Sequence, residues 1–265
     1  MKIAYSVSIL SAVGFLMFSV PCPAGDLPPA LPKDFVAVSE GRGRIQVALA
    51  NIPPTPSKVE ESEEAIADPL EPVNRAFFQF NDKLYFWVLK PVASGYKAII
   101  PEDGRVGVRN FVSNLTTPIR LVNCLLQCKF KAAGNETVRF LLNTGLGLAG
   151  FLDPAKKELK IEKQEADFGE TLGLWGIGPA FYINWPILGP SSLRDSVGFV
   201  GDLALDPRTY LFTRPIFYVV RPVEIVNETS LTLGEYEDFK KAALDPYIAL
   251  KDAYHQYRQN RIKER

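Results

Sequence analysis

The segment from Arg139 to Asp153, Arg-Phe-Leu-Leu-Asn-Thr-Gly-Leu-Gly-Leu-Ala-Gly-Phe-Leu-Asp, limits what this chain can become. It carries no charge between its two ends and is broken by Gly145, Gly147 and Gly150. A bilayer-crossing helix needs roughly 20 apolar residues, so this segment cannot span. Each glycine weakens a helix by about 1 kcal/mol, so the segment bends or lets other backbone pack closely. Either it is a buried turn between two helices, or something other than water covers it.

The 265 residues suffice for one large domain or two small ones. Lys+Arg 30 balances Asp+Glu 30 and the pI is near 6.6, which gives no global electrostatic reason to bind nucleic acid or an anionic surface. The one basic run, Arg258 to Arg265, reads as cations complementing a helix C-terminus. Phe 17, Tyr 10 and Trp 3 cluster more densely than one helix face can hide, which points to an interfacial protein. Three cysteines make no disulfide framework. Cys124 and Cys128, four apart on one helix face, read as small buried hydrophobes, and no His or Cys cluster completes a metal site.

Residues 1–24 carry a targeting pattern: Lys2, an apolar run from Ile3 to Val20, and small residues at Cys22-Pro23-Ala24 before Gly25. Export is the expectation. Residues 25–67 hold six prolines and end in the acidic run Glu60 to Glu64, the composition of an extended, mostly disordered tether, with a short hairpin possible over Val36 to Ala50. The folded part is expected over 68–265. Asp68-Pro69-Leu70-Glu71 reads as a capped helix start, and Asp206-Pro207 and Asp245-Pro246 repeat it. Val73, Phe77, Phe80, Leu84 and Val88 form a helical stripe that Pro91 should end, while Phe78, Tyr85 and Leu89 lie off it. A helix apolar on more than one face is deeply buried or wets lipid.

Further helices are expected from Val106 to about Thr116, from Thr117-Pro118 to about Gln127, from Lys131 or Asn135 into the glycine bend, from Leu193, over Val223 to Leu233, over Tyr236 to Leu244, and from Asp245 to the end. A second apolar, glycine-punctuated stretch, Phe168 to Pro179, leads into the extended-looking Phe181 to Pro186 and a turn and cap at Gly189-Pro190-Ser191-Ser192. Strand patterns are few, so the fold class is all-α. Catalysis is disfavoured. There is no Gly-x-Ser-x-Gly elbow, no phosphate loop followed by Lys-Ser/Thr and no cofactor motif, and the lone His255 sits in a charged terminal helix expected to be exposed.

Asp68-Pro69-Leu70-Glu71-Pro72-Val73-Asn74-Arg75, the run Phe140 to Asp153, Phe168-Gly169-Glu170-Thr171-Leu172-Gly173, Leu193-Arg194-Asp195 and Asp245-Pro246-Tyr247 occur in the order seen in the MlaA (VacJ) family, which the chain resembles over about Asp68 to Tyr254. The resemblance implies a single multi-helix, ring-like domain with short glycine-rich bends, embedded in the inner leaflet of an outer membrane on its periplasmic side. It implies a polar channel that removes phospholipid from the outer leaflet, association with a trimeric outer-membrane porin, and hand-over to a soluble periplasmic carrier protein. Short apolar segments and abundant aromatics suit such a leaflet position.

By match to the family's Leu-Arg-Asp motif, Arg194 and Asp195 are candidates to line the channel, and the same pair reads equally as a helix-start ion pair. Asn143 and Asp153 bracket the bend and are further lining candidates, with capping the simpler role for Asp153. Gly145, Gly147, Gly150, Gly173, Gly176 and Gly178 are hinge candidates, and a bulky residue at Gly147 is expected to impair lipid removal more than folding. Asn74 and Phe80, on the family-like first helix, read as packing residues. Two departures stand out. Ser19-Val20-Pro21 before Cys22 replaces the family's Leu-small-small lipobox, which argues against Cys22 as the lipidated residue, and cleavage after Ala24 would discard it. Ala180-Phe181-Tyr182 stands where Gly-Pro-Tyr is usual. The other reading open to the residues is a periplasmic structural or adhesion protein using its aromatic surface to hold partners.

Overall fold

The computed structural model describes residues 65–211 and 214–263. The expectations for the export signal, Cys22, the acidic run and the hairpin at Val36 to Ala50 lie outside these residues.

The chain folds as α1 (Glu71–Leu84), a π-helical turn (Tyr85–Leu89), α2 (Lys90–Ile99), α3 (Glu102–Leu115), α4 (Thr117–Leu126), α5 (Phe130–Gly145), α6 (Pro154–Lys157) and α7 (Phe168–Leu174). A hairpin of β1 (Tyr182–Trp185) and β2 (Gly189–Ser192) follows. The remainder is α8 (Leu193–Leu205), α9 (Arg208–Leu211), α10 (Arg214–Leu231), α11 (Glu235–Ala242) and α12 (Pro246–Lys263). The predominantly helical architecture is as expected, and the segment read as extended is so from Phe181 to Trp185, with Pro186 already in the turn. Gly189 to Ser192, expected as a turn and cap, is a strand paired antiparallel to β1, with Tyr182 opposite Ser192 and Trp185 opposite Gly189, and its last residue, Ser192, caps α8 as read. The helix expected over Val223 to Leu233 starts earlier, at Arg214.

Three local expectations are corrected. Pro91 does not end the first helix. A proline lacks an N–H and crowds the carbonyl four residues back, and here the π turn over Tyr85–Leu89 widens the helix just before it, so that Pro91 falls in the first turn of α2. Asp68 does not cap α1, whose N-cap is Leu70 with no side-chain bond. Its carboxylate is taken by tertiary partners: Asn74 Nδ2 donates to it at 2.8 Å and the Tyr247 hydroxyl also donates to it. Cys128 does not share a helix face with Cys124, because α4 stops at Leu126 and Cys128 is left-handed, φ 57°. Cys124 is a free, buried thiol, as read. The helix expected from Thr117-Pro118 does start at Thr117, and Asp245 caps α12 by accepting from Tyr247 N at 2.9 Å.

Contacts between elements close into a circuit. α1 continues through the π turn into α2, α2 packs on α10, α10 on α3, and α3 on α4. From there α4 meets α7, α7 packs on α8, α8 meets β2, and β1 returns to α1. This is the connectivity of a ring-like domain. Ile66 and Ala67 belong to the packed unit: Ile66 is buried against Tyr182 and Tyr247, and Ala67 bridges Phe181.

The burial pattern runs opposite to that of a water-soluble domain. Among the described residues, buried polar and charged side chains outnumber buried apolar ones, and the two apolar clusters are small. Large apolar side chains face outward instead, among them Trp87 at 75% exposure and Ile99 at 79%. No described helix is long and apolar enough to cross a membrane.

Candidate functional site

Buried polar side chains need partners or they destabilise the fold, and here they tie the circuit together. Asp202 on α8 accepts from Asn123 Nδ2 on α4 at 3.0 Å and from Phe168 N at the start of α7 at 3.1 Å, while Thr171 Oγ1 donates to Asn123 Oδ1 at 2.9 Å. Glu136, fully buried on α5, accepts from Arg120 Nε at 2.7 Å and from Gln164 N at 2.8 Å. Asn74 on α1 receives Asn184 N of β1 at 2.9 Å and donates to Tyr182 O at 3.1 Å, so this residue, read as packing, is a buried polar clasp. Arg75 donates to Asp245 Oδ2 at 3.0 Å and lies 4.5 Å from the centre of the Tyr247 ring. Two motifs some 170 residues apart in sequence thus meet.

The densest network joins α7, α8 and α12. Asp167 caps α7 by accepting from Glu170 N at 2.8 Å, and Ser192 caps α8 by accepting from Asp195 N at 3.1 Å. Those two caps fix the carboxylates of Asp167 and Asp195 on either side of Arg258. Arg258 donates from Nη1 to Asp167 Oδ2 at 2.7 Å and from Nη2 to Asp167 Oδ1 at 2.9 Å, the parallel two-bond fork that suits guanidinium. Its Nη2 also donates to Asp195 Oδ1 at 3.0 Å, while Nε lies 2.8 Å from Oδ2 as an ion-pair contact without hydrogen-bond alignment. Arg194 Nε donates to Asp195 Oδ1 at 2.9 Å, and the Tyr254 hydroxyl donates to Oδ2. Arg261 Nε reaches Glu170 Oε1 at 2.9 Å.

Burial and partners set the charges here. Burial works to raise the Asp195 carboxyl, but Arg258 and then Arg194 hold it below its ordinary value. Burial opposes the charge of Arg258, yet the carboxylates of Asp167 and Asp195 hold its pKa well above the usual value. Glu170 goes the other way. Burial, helped by Asp167, pushes it up to about 7 despite Arg261 and Arg258.

Beside this network lies a cavity of about 230 Å³ whose lining includes Arg194, Asp195, Arg258, Gln259, Gly173 and the Gly176–Gly178 loop. The structure therefore brings together two lining candidates, Arg194 and Asp195, with three hinge candidates, Gly173, Gly176 and Gly178. Gly173 is confined, since a Cβ there would lie 2.5 Å from Ile262 Cδ1, whereas Gly176 and Gly178 open onto free space. Gly176 has φ +88°, the left-handed region that glycine reaches without strain.

Asn143 and Asp153 lie elsewhere, in the frame of the first glycine bend. Asn143 Nδ2 donates to Asp153 Oδ1 at 2.9 Å, Arg139 Nη2 to Asp153 Oδ2 at 2.7 Å, and Asp153 caps α6 by accepting from Lys156 N at 3.1 Å. The bend itself packs on α3, with Phe151 stacked on Phe111 at 4.8 Å and Asn114 Nδ2 donating to Thr144 Oγ1 at 2.9 Å. Its outer face projects Leu146 and Leu148. Gly147 is no free hinge: a Cβ there would sit 2.5 Å from Asn143 O and 2.6 Å from Leu152 O. Gly145 has open space around it, and a Cβ at Gly150 would meet Asn114 at 2.5 Å.

Two expectations about α12 are corrected. His255 is buried rather than exposed, with Nε2 2.8 Å from Gln259 Nε2, and Arg258 is an internal charge rather than a solvated cation at a helix end. Sequence reading missed Asp167 and Arg258. The signals available were Asp167 at a cap position before Phe168-Gly169-Glu170, and the i, i+4 spacing of Tyr254 and Arg258.

The family model for MlaA lipoprotein matches residues 66–261. The chain belongs to the MlaA lipoprotein family. Among its relatives is the intermembrane phospholipid transport system lipoprotein MlaA of Shigella flexneri, 35% identical over 193 residues, which span 72% of this chain and 76% of that one. The protein of the same name from Haemophilus influenzae is 34% identical over 201 residues, 74% and 80% of the two chains. An uncharacterized protein of Rickettsia felis is 33% identical over 199 residues, 75% and 79%. A solved structure from work on the structural basis for maintenance of bacterial outer membrane lipid asymmetry superposes with a TM-score of 0.66 at 34% identity, covering 74% of this chain and 99% of that chain. The MlaA match runs from the Ile66 anchor to Arg261 on α12, so it encloses the α7–α8–α12 network and the cavity lining except Ile262 and Lys263.

Proposed function

We propose that this chain is the outer-membrane component of an intermembrane phospholipid transport system, which removes phospholipid strayed into the outer leaflet and so maintains lipid asymmetry. The names of its MlaA relatives support this reading. The structural observation that carries it is the inverted burial: a polar, charge-tied interior and an apolar exterior. A phospholipid takes a charged head through whatever conducts it, and an unpaired charge in hydrocarbon costs several kcal/mol. An apolar rim seated in a leaflet, around a polar passage, meets both needs. In this reading the domain sits in the inner leaflet and opens to the periplasm, next to a trimeric porin, and passes its lipid to a soluble periplasmic carrier. Residues 1–24 direct export, and the chain from 25 to the Ile66 anchor tethers the domain. Arg194 and Asp195 line the passage, and the reading needs no catalytic step.

Deleting the gene in its native host tests this. Phospholipid should accumulate in the outer leaflet, where added phospholipase can reach it, and the intact gene should reverse this. Unchanged leaflet composition in the deletion strain would refute the reading.

A further inference from the structure

We propose that the cavity beside the Gly176–Gly178 loop is a phosphate-recognition site in which Arg194 binds the oxyanion. This rests on the transport reading only for the source of the phosphate.

Arg194 is more than nine-tenths buried and is one of the residues that line the cavity. Nε is engaged with Asp195 at 2.9 Å and Nη1 reaches Ile177 O at a long 3.4 Å. Nη2 makes no hydrogen bond among the described residues. A guanidinium has five donors and no acceptor, and here Nη2 is neither hydrogen-bonded nor sealed from solvent, so it is open to an oxygen ligand, and a phosphate oxyanion matches the planar fork.

The surrounding charge favours the same ligand. Arg194, Arg258 and Lys263 are among the lining residues, and Asp195 is the one carboxylate among them. Arg258 is committed to Asp167 and Asp195, so it contributes field and holds Asp195 in place, which in turn holds Arg194 Nε. The Gly176–Gly178 loop also lines the cavity, and a Cβ at Gly176 or Gly178 would touch nothing within 4 Å, so no side chain there competes for the space. At about 230 Å³ the cavity exceeds the roughly 150 Å³ that admits a benzene-sized guest, enough for a phosphodiester head but not for two acyl chains.

The ligand is thus a phosphate oxyanion, either in the diester of a lipid head or as free phosphate. The mature chain in detergent micelles can be titrated calorimetrically with glycerophosphoglycerol, with inorganic phosphate and with glycerol as the uncharged control. Wild type should bind the diester and not glycerol. Arg194→Gln should lose at least tenfold in affinity, and Gly178→Phe, which fills open space without disturbing the charge network, should lose a comparable amount while melting at the wild-type temperature. Tighter binding of inorganic phosphate than of the diester would assign the site to free phosphate. No binding of either anion by wild type, or unchanged binding in folded Gly178→Phe, would overturn the proposal. Leaflet composition of a deletion strain complemented with wild type is a separate readout. If asymmetry is restored and neither variant alters binding, only the site fails; if wild type restores nothing, the transport reading fails while the titration still decides the site.

Discussion

Replacing Arg258 by Met should destabilise the domain by about 3–5 kcal/mol, the range for removing one partner of a buried ion pair. The geometry supports the upper half of that range. Arg258 makes three hydrogen bonds of 2.7 to 3.0 Å to two carboxylates whose side chains are only 17% and 10% exposed. Methionine fills a similar volume, so packing is largely kept and the loss is electrostatic: Asp167 and Asp195 become two like charges in one buried site. At roughly 2–4 °C per kcal/mol for a domain of this size, the melting temperature in detergent at neutral pH should fall by about 6–20 °C. Neutralising the stranded groups should return most of this, so Arg258→Met with Asp167→Asn and Asp195→Asn should melt well above Arg258→Met alone. The pH dependence has a definite sign. In wild type Asp195 sits below its ordinary value because Arg258 outweighs burial, so its contribution is present at neutral pH and is lost as pH falls through the depressed value. In the variant burial is opposed at Asp195 only by Arg194 and Tyr254, the carboxyls protonate more readily, and the deficit relative to wild type should shrink on acidification. A loss under about 1 kcal/mol, or no recovery on neutralising the two carboxylates, would refute the assignment of this network as the clamp between α7, α8 and α12.

Glu170, raised to about 7 chiefly by burial, contributes stability that is complete below its ordinary value near 4.5 and is lost as pH rises through about 7. Glu170→Gln should therefore gain on wild type in melting temperature as pH rises across that window, and parallel curves would exclude the effect. Gly147→Leu places a Cβ within 2.6 Å of two carbonyl oxygens, so it should cost about 1–3 kcal/mol or more by overpacking, and folded yield should fall together with lipid removal. Normal yield with lost transport would contradict this. Leu146→Glu with Leu148→Glu alters side chains 73% and 70% exposed, so melting in detergent should move by less than about 0.5 kcal/mol. Carbonate washing should nevertheless extract the double variant and leave wild type in the membrane fraction, and equal retention would count against the leaflet seat of the bend.

What could be read from sequence was local. The helices over Glu102–Leu115 and Leu193–Leu205, the caps at Asp153 and Asp245 and the extended run at Tyr182 follow from periodicity, cap chemistry and proline placement within a few residues of themselves. Asp68 defeated the same logic because Asn74 and a tyrosine 179 residues away compete for its carboxylate, and no local rule can see that competitor. Pro91 defeated it because a π turn absorbs what a regular helix cannot. The site divides the same way: Arg194, Asp195 and the glycines at 173, 176 and 178 were legible from motif, and Asp167 and Arg258, 91 residues apart, were not.

The reason lies in which side chains hold this fold together. In a water-soluble domain the apolar pattern both marks the core and says which faces meet, so periodicity carries tertiary information. Here much of the apolar pattern points outward, as Trp87, Ile99, Leu146 and Leu148 do, and marks a boundary with another medium. The faces that meet are written in polar residues such as Asn74 with Asn184, Asn123 with Asp202 and Arg258 with Asp167. Such pairs have no period, and each is satisfied by one partner in one geometry, so burying them specifies a single arrangement while adding little net stability. The polar groups that close the circuit also furnish the charges that face the cavity. A substitution that disturbs recognition there should therefore loosen the α7–α8–α12 junction as well, unless, like Gly178→Phe, it acts from a position where an added Cβ meets none of the clamp's atoms.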